Sequence, residues 1–212
     1  MGEFCGIMGH QNDEKRGLRT MEPRRFIQEL DVIEGLKNAT RHSWTSSGRH
    51  ESVAEHSWRM AMMAYFLQDE FPDTDINKVI RMCLIHDLGE VFTGDIPVFE
   101  KTAAHEAREE ALLHQWVSSL PEPYAGDMTA LFGEMDTLET PEAKLYKALD
   151  KLEVTLQHNE ADISTWIPLE YTLNLTHGEK QVAFSPYLQA VKAEINADTR
   201  KKLRENGITP AE

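Results

Sequence analysis

Residues 79–97 read VIRMCLIHDLGEVFTGDIP. Val79, Ile80, Cys83, Leu84 and Leu88 recur at three- and four-residue spacings, which predicts the apolar face of a helix that begins near Ile76. His86 and Asp87 stand inside that apolar run, and the helix is expected to end in the turn FTGDIP. An ionised carboxylate buried without a partner costs several kcal/mol, so Asp87 in this setting needs a cation or strong donors.

The same logic singles out three more side chains. His56 falls on the apolar side of a helix opened by Ser52 and Glu55, a capping-box pair, in line with Val53 and Met60. Asp150 sits between Leu149 and Leu152 in KALDKLEVTLQ. A lone His–Asp pair in a helix is ordinarily a hydrogen-bonded core pair. Two imidazoles and two carboxylates on separate apolar faces share a different solution, in which His56, His86, Asp87 and Asp150 all face one divalent ion. Nitrogen and oxygen donors suit a first-row transition metal, and a site without thiolates keeps positions free for water. That donor set does not distinguish Mn, Co, Fe, Mg and Zn.

Working outward, the chain reads as a series of amphipathic helices. Phe26, Leu30, Ile33 and Leu36 fall on one helical face. The stretch NATRHSWTSSGRHES, residues 38–52, reads as a loop. Further helices are expected over 101–118, from after PEP to about Glu134, from Pro141 through Leu156, and over 185–204. Thr165 to Gly178 reads as irregular. No alternating strand pattern or internal repeat is evident, so the expected class is all-α, a single helical bundle over 22–212 behind a polar, aperiodic extension at 1–21. A chain of 212 residues is long enough to bury a core without disulfides.

Composition excludes several functions. The 36 acidic against 22 basic residues give a net charge of −14, which repels nucleic acid and anionic membranes. No stretch approaches the ~20 apolar residues of a membrane span. The N-terminal sequence lacks the pattern of a secretory signal, and two cysteines in unlike settings, Cys5 and Cys83, suit a reducing compartment. The expected location is the cytoplasm. Cys83 reads as core.

In this order, ESVAEHSWRMA, IHDLGEVFTGDIP and KALDKLE resemble the HD-domain metal-dependent phosphohydrolases, in particular the 5'-deoxynucleotidase branch, across most of residues 26–200. The segment HNEADISTWIPLEYTLNLTHGE also resembles bacterial members of that branch. The resemblance implies an HD-domain bundle that hydrolyses nucleoside 5'-monophosphates with one metal ion. It implies metal ligands at His56, His86, Asp87 and Asp150, a pair handling water and leaving oxygen at Glu90 and Asp95, and substrate contacts at Arg41 and Trp44. His42 lies beside that arginine, where one bacterial form has the tryptophan itself. Family members are often dimers, and the apolar residues around Trp166 and Tyr171 suit an interface or a core equally. His105 and His114 are about half a turn apart around a helix axis, which favours surface positions over a second metal. Rival readings are an HD enzyme acting on a nucleoside triphosphate, cyclic nucleotide or alarmone, and a non-catalytic nucleotide-binding scaffold. A triphosphate would want more cations than the sequence shows near the motif.

Overall fold

The computed structural model describes residues 21–209, so the extension read at 1–21, Cys5 included, lies almost wholly outside the described residues. In chain order the helices are α1 (Pro23–Ile33), α2 (Gly35–Asn38), α3 (Val53–Phe66), α4 (Ile76–Ile85), α5 (Glu90–Thr93), α6 (Ala103–Ser119), α7 (Tyr124–Thr137), α8 (Pro141–Glu160), α9 (Glu170–Thr176), α10 (Glu179–Val182) and α11 (Pro186–Glu205). Between α2 and α3 the chain forms a small antiparallel hairpin of β1 (Thr40–Trp44) and β2 (His50–Ser52). The class is all-α.

The spine is α8. Pro141 occupies its first turn, and the Thr140 hydroxyl accepts the Ala143 N–H at 3.2 Å, closing the N-terminus. Leu145, Leu149 and Leu152 are fully buried on it, and α3, α4 and α11 pack around it. Because it is enclosed on most sides, even polar positions of α8 are inside: Asp150, Glu153, Gln157 and His158 are all buried. The capping box of α3 is present, with Ser52 N–H donating to Glu55 Oε2 at 2.8 Å.

Four expectations need correction. Residues 38–52 are not a plain loop. Thr40 pairs with Ser52 and Trp44 with His50, and Gly48 at φ +81° supplies the turn between the strands. Strands this short carry too few residues for alternation to show. The helix through His86 also stops early: α4 ends at Ile85, and His86–Gly89 turn before the single turn of α5.

Near the N-terminus the helix breaks at Glu34, so Leu36 is buried from α2 while Phe26 and Leu30 on α1 are 53% and 47% exposed. Glu29 turns inward instead, where it accepts the Trp116 indole N–H at 2.9 Å. Within 165–178, which had read as irregular, α9 forms. Trp166 is buried in its own chain, its indole N–H donating to the His158 carbonyl at 2.9 Å, so core packing accounts for it.

Cys83 is buried as expected, and burial pushes its thiol pKa far up, leaving no nucleophile. His105 and His114 are exposed. Among the described residues no helix is long and apolar enough to cross a membrane. Leu149→Ala removes a sealed side chain from the spine and should cost about 2–5 kcal/mol in a denaturant titration with helicity retained.

Candidate metal centre

Three helices and their caps bring the predicted ligands together. His56 projects from the second turn of α3, His86 caps α4, Asp87 begins the following turn, and Asp150 comes from the middle of α8. The ligand atoms of His56, His86 and Asp87 lie within 4.8 Å of one another. His86 Nε2 is 3.0 Å and His56 Nε2 4.0 Å from Asp87 Oδ2. Asp150 Oδ1 is 3.7 Å from His56 Nε2.

The far side of each imidazole fixes its chemistry. His56 Nδ1–H donates to Glu153 Oε2 at 2.5 Å, and His86 Nδ1–H donates to the Cys83 carbonyl at 2.9 Å. With both protons committed to Nδ1, both Nε2 lone pairs face the common centre, and neither has a hydrogen-bond partner. Two buried, unpartnered nitrogens aimed at two carboxylates, with outer hydrogen bonds in place, are a donor set that could hold a metal ion.

A second close group, Glu51, His56 and Glu153, uses the opposite face of the His56 ring. That group is buried on every side and is neutralised from within, by Arg41 Nε 3.4 Å from Glu51 and Arg59 Nη1 3.8 Å from Glu153. The Nε2 side faces Asp87 and Asp150, which line a cavity.

That cavity has a volume of about 330 Å³, in the range of small-molecule sites. Asp87 and Asp150 line it, joined by Glu90, Asp95 and Arg41. Gly94, at φ +73°, turns the chain after α5 so that Asp95 returns to the same wall. Arg41 Nη1 is 3.3 Å from Asp87 Oδ2. Among the expected residues, His56 and His86 meet the cavity only through Asp87 and Asp150, and Trp44 does not line it at all. Its ring lies 4.1 Å from that of His50 across the hairpin, and β1 offers His42 and Ser43 to the cavity in its place. Alternation along a strand explains the exchange only in part, because the register between Thr40 and Trp44 is irregular.

The charges balance locally. Arg41 supplies the cation for Asp87, and burial of the two charges strengthens their attraction. Lys147 and Lys151 do the same for Asp150. Both lysines line the cavity, their Nζ atoms 2.9 and 3.0 Å from Asp150 Oδ2, so Oδ1 is the oxygen turned to the histidines. For Glu90, burial together with Asp87 and Asp95 pushes the pKa up to about 10, and its Oε2 has no partner.

Sequence reading missed Glu153, Lys147 and Lys151, and gave no role to His42, His158 or His177, all of which except Glu153 line the cavity. Glu153 is three residues beyond Asp150 and shares its helix face, which is the signal that points to it.

Two consequences are measurable. Glu153→Leu should leave His56 free to turn and weaken divalent-ion affinity about 10–100-fold in a titration of the folded protein. For His177, burial and Lys151 push the pKa from its ordinary 6.5 down to about 4. Between those values the unfolded chain binds a proton that the folded chain refuses, so stability falls as pH drops through that window. His177→Gln should make the decline in denaturation midpoint between pH 7 and pH 4.5 shallower.

The chain is also similar to known proteins. The family model described as HD domain matches residues 33–192. The human protein named 5'-deoxynucleotidase HDDC2 is 34% identical over 141 residues, covering 65% of this chain and 68% of its own. The Schizosaccharomyces pombe protein named 5'-deoxynucleotidase hdd1 is 30% identical over 155 residues, covering 65% of this chain and 77% of its own. A crystal structure from Magnetospirillum magnetotacticum MS-1, described as a "predicted metal-dependent phosphohydrolase", superposes with a TM-score of 0.71 at 28% identity, over 88% of this chain and 96% of that one.

Proposed function

The chain belongs to the HD-domain family, and on that footing we propose that it is a metal-dependent phosphomonoesterase converting deoxynucleoside 5'-monophosphates to nucleoside and inorganic phosphate. One observation carries the reading: two buried imidazole Nε2 atoms without partners face Asp87 and Asp150 on the wall of a cavity that also holds Arg41. The names of the human and yeast relatives supply the substrate class.

In this reading His56, His86, Asp87 and Asp150 hold one divalent ion, and residues 22–212 form the HD domain. The ion, when bound, supplies positive charge for the phosphoryl oxygens and acidity for a water. The chain's own groups do the rest. Arg41, fixed between Glu51 and Asp87, presents its guanidinium to the charge that gathers on the phosphoryl group. Glu90 and Asp95 stand on the same wall; between them they accept the proton of the attacking water and return one to the leaving 5' oxygen. Glu153 keeps the His56 proton on Nδ1. A reducing, cytoplasmic setting suits both the substrate and the free thiol of Cys83.

Lys101, which the sequence places near the site, lines the cavity together with Lys147 and Lys151. Each is paired with a carboxylate, Lys101 with Glu109 at 2.9 Å and the other two with Asp150. The wall therefore has no surplus of positive charge for a triphosphate, which favours a single phosphate.

The test is phosphate release from a panel of ribo- and deoxyribonucleotides after reconstitution with different divalent ions. Turnover should require metal and be highest with monophosphates. Asp87→Ala should lose bound metal and at least about 10³-fold in kcat/KM while its helical signal persists, since roughly 4 kcal/mol of charge stabilisation leaves with the ion. Full turnover by that variant in chelator would overturn the proposal.

A further inference from the structure

The cavity extends beyond the carboxylates of the metal centre to a second polar cluster that hydrolysis leaves without a task. Asp150, Val154 and His158 line it from successive turns of α8, so His158 stands about 12 Å along the helix from Asp150. That span suits a nucleoside monophosphate whose phosphate lies at the Asp150 end. At the far end α9 contributes Glu170 and Asn174, four residues apart on one face, both buried and both on the cavity wall.

His158 lies between them. Its Nδ1–H donates to Asn174 Oδ1 at 3.0 Å, while its Nε2 accepts the Ser43 hydroxyl at 3.3 Å and lies 3.6 Å from Glu170 Oε1. Burial lowers the His158 pKa, which keeps the ring neutral and suited to this division of donor and acceptor. Glu170 Oε2 accepts the Ile167 N–H at 2.8 Å, and Oε1 faces His42 Nε2 at 3.1 Å with a lone pair to spare. The Asn174 carbonyl accepts from Lys192 Nζ at 2.9 Å, which holds α9 in place. With Oδ1 taken by His158, the Asn174 amide Nδ2 has no partner although the residue is only 2% exposed. A buried N–H₂ left unpaired costs about 1–3 kcal/mol, and a partner from outside the chain removes that penalty.

Building on the monophosphatase reading, we propose that Glu170 and Asn174 recognise the nucleobase, Glu170 Oε1 accepting from a ring N–H and Asn174 Nδ2 donating to the adjacent carbonyl oxygen. This acceptor–donor pair complements the lactam edge, –NH–C(=O)–, of thymine, uracil, guanine and hypoxanthine. Adenine and cytosine present the reverse, an unprotonated ring nitrogen beside an amino group, and set acceptor against acceptor and donor against donor. His158 is a positioning residue here: by holding Oδ1 it turns the amide nitrogen away from itself. The segment 158–179, which resembles bacterial deoxynucleotidases in sequence, thereby acquires a function.

Asn174→Asp separates this role from a structural one, because it keeps the oxygen that His158 bonds and replaces only the donor. The experiment measures kcat and KM of the metal-reconstituted full chain for dTMP, dGMP, dAMP and dCMP, and the calorimetric affinity for thymidine and deoxyadenosine, which needs no turnover. The wild type should favour dTMP and dGMP by about tenfold or more in kcat/KM, mainly through KM, the size of one mismatched buried hydrogen bond. Asn174→Asp should erase that preference, the loss falling on KM for dTMP and dGMP. Equal kcat/KM for all four nucleotides in the wild type overturns the proposal, whether or not the variant folds, and so does a preference that survives the substitution. Tighter binding of thymidine than deoxyadenosine without hydrolysis of any monophosphate would remove the phosphatase reading and keep base recognition; indifferent binding alongside good hydrolysis would do the reverse.

Discussion

A histidine ring can offer a lone pair on one nitrogen only if its proton is held on the other, and this bundle arranges that twice within a few ångströms. Glu153 takes the His56 proton and the Cys83 carbonyl takes that of His86, so both Nε2 atoms are left bare and buried. An unpartnered imidazole nitrogen inside a protein is costly, and two of them beside Asp87 and Asp150 form a set that a bound cation would complete. The rest of the structure is arranged to hold this geometry. α8 is buried along most of its length because it must supply Asp150 and Glu153 from one face, and α3 and α4 pack against it at the positions that deliver the two histidines.

The charge distribution follows from the same constraint. A chain with net charge −14 repels anions in general, yet its cavity collects Arg41, Lys101, Lys147 and Lys151. Each of these cations is tied to a carboxylate, an arrangement that would let them stand beside a divalent ion and still present N–H groups to a phosphate. Polyanions meet an acidic surface, whereas a small phosphate ester that enters the cavity meets a locally balanced field.

Much of this was legible in the residues. His56, His86, Asp87 and Asp150 stand out because ionisable letters inside apolar periodicity are a local signal, and the structure brings all four side chains together. Glu153 is subtler, since KALDKLE reads as an ordinary charged stretch until Asp150 is placed inside, after which i+3 spacing puts Glu153 inside too. The hairpin escaped because strands of five and three residues carry too little pattern, and its position depends on contacts from afar, such as Gln157 Nε2–H donating to the Trp44 carbonyl at 2.7 Å. Trp44 was misplaced for the same reason: which side chains of β1 face the cavity depends on an irregular register. Phe26 and Leu30 followed helical periodicity correctly but ended outside, because the break at Glu34 re-aims α1 and the Trp116 indole draws Glu29 inward. The wall formed by α9 was invisible because tertiary contacts, with Lys192 and His158, define it.

The central claim is that the two imidazoles and the two aspartates share one ion. X-ray absorption on the zinc-loaded, full-length protein tests it most directly. A first shell of two imidazole nitrogens at about 2.0–2.1 Å completed by oxygens, with no sulfur, is expected. A shell without imidazole, or zinc that stays hydrated in solution, would contradict it.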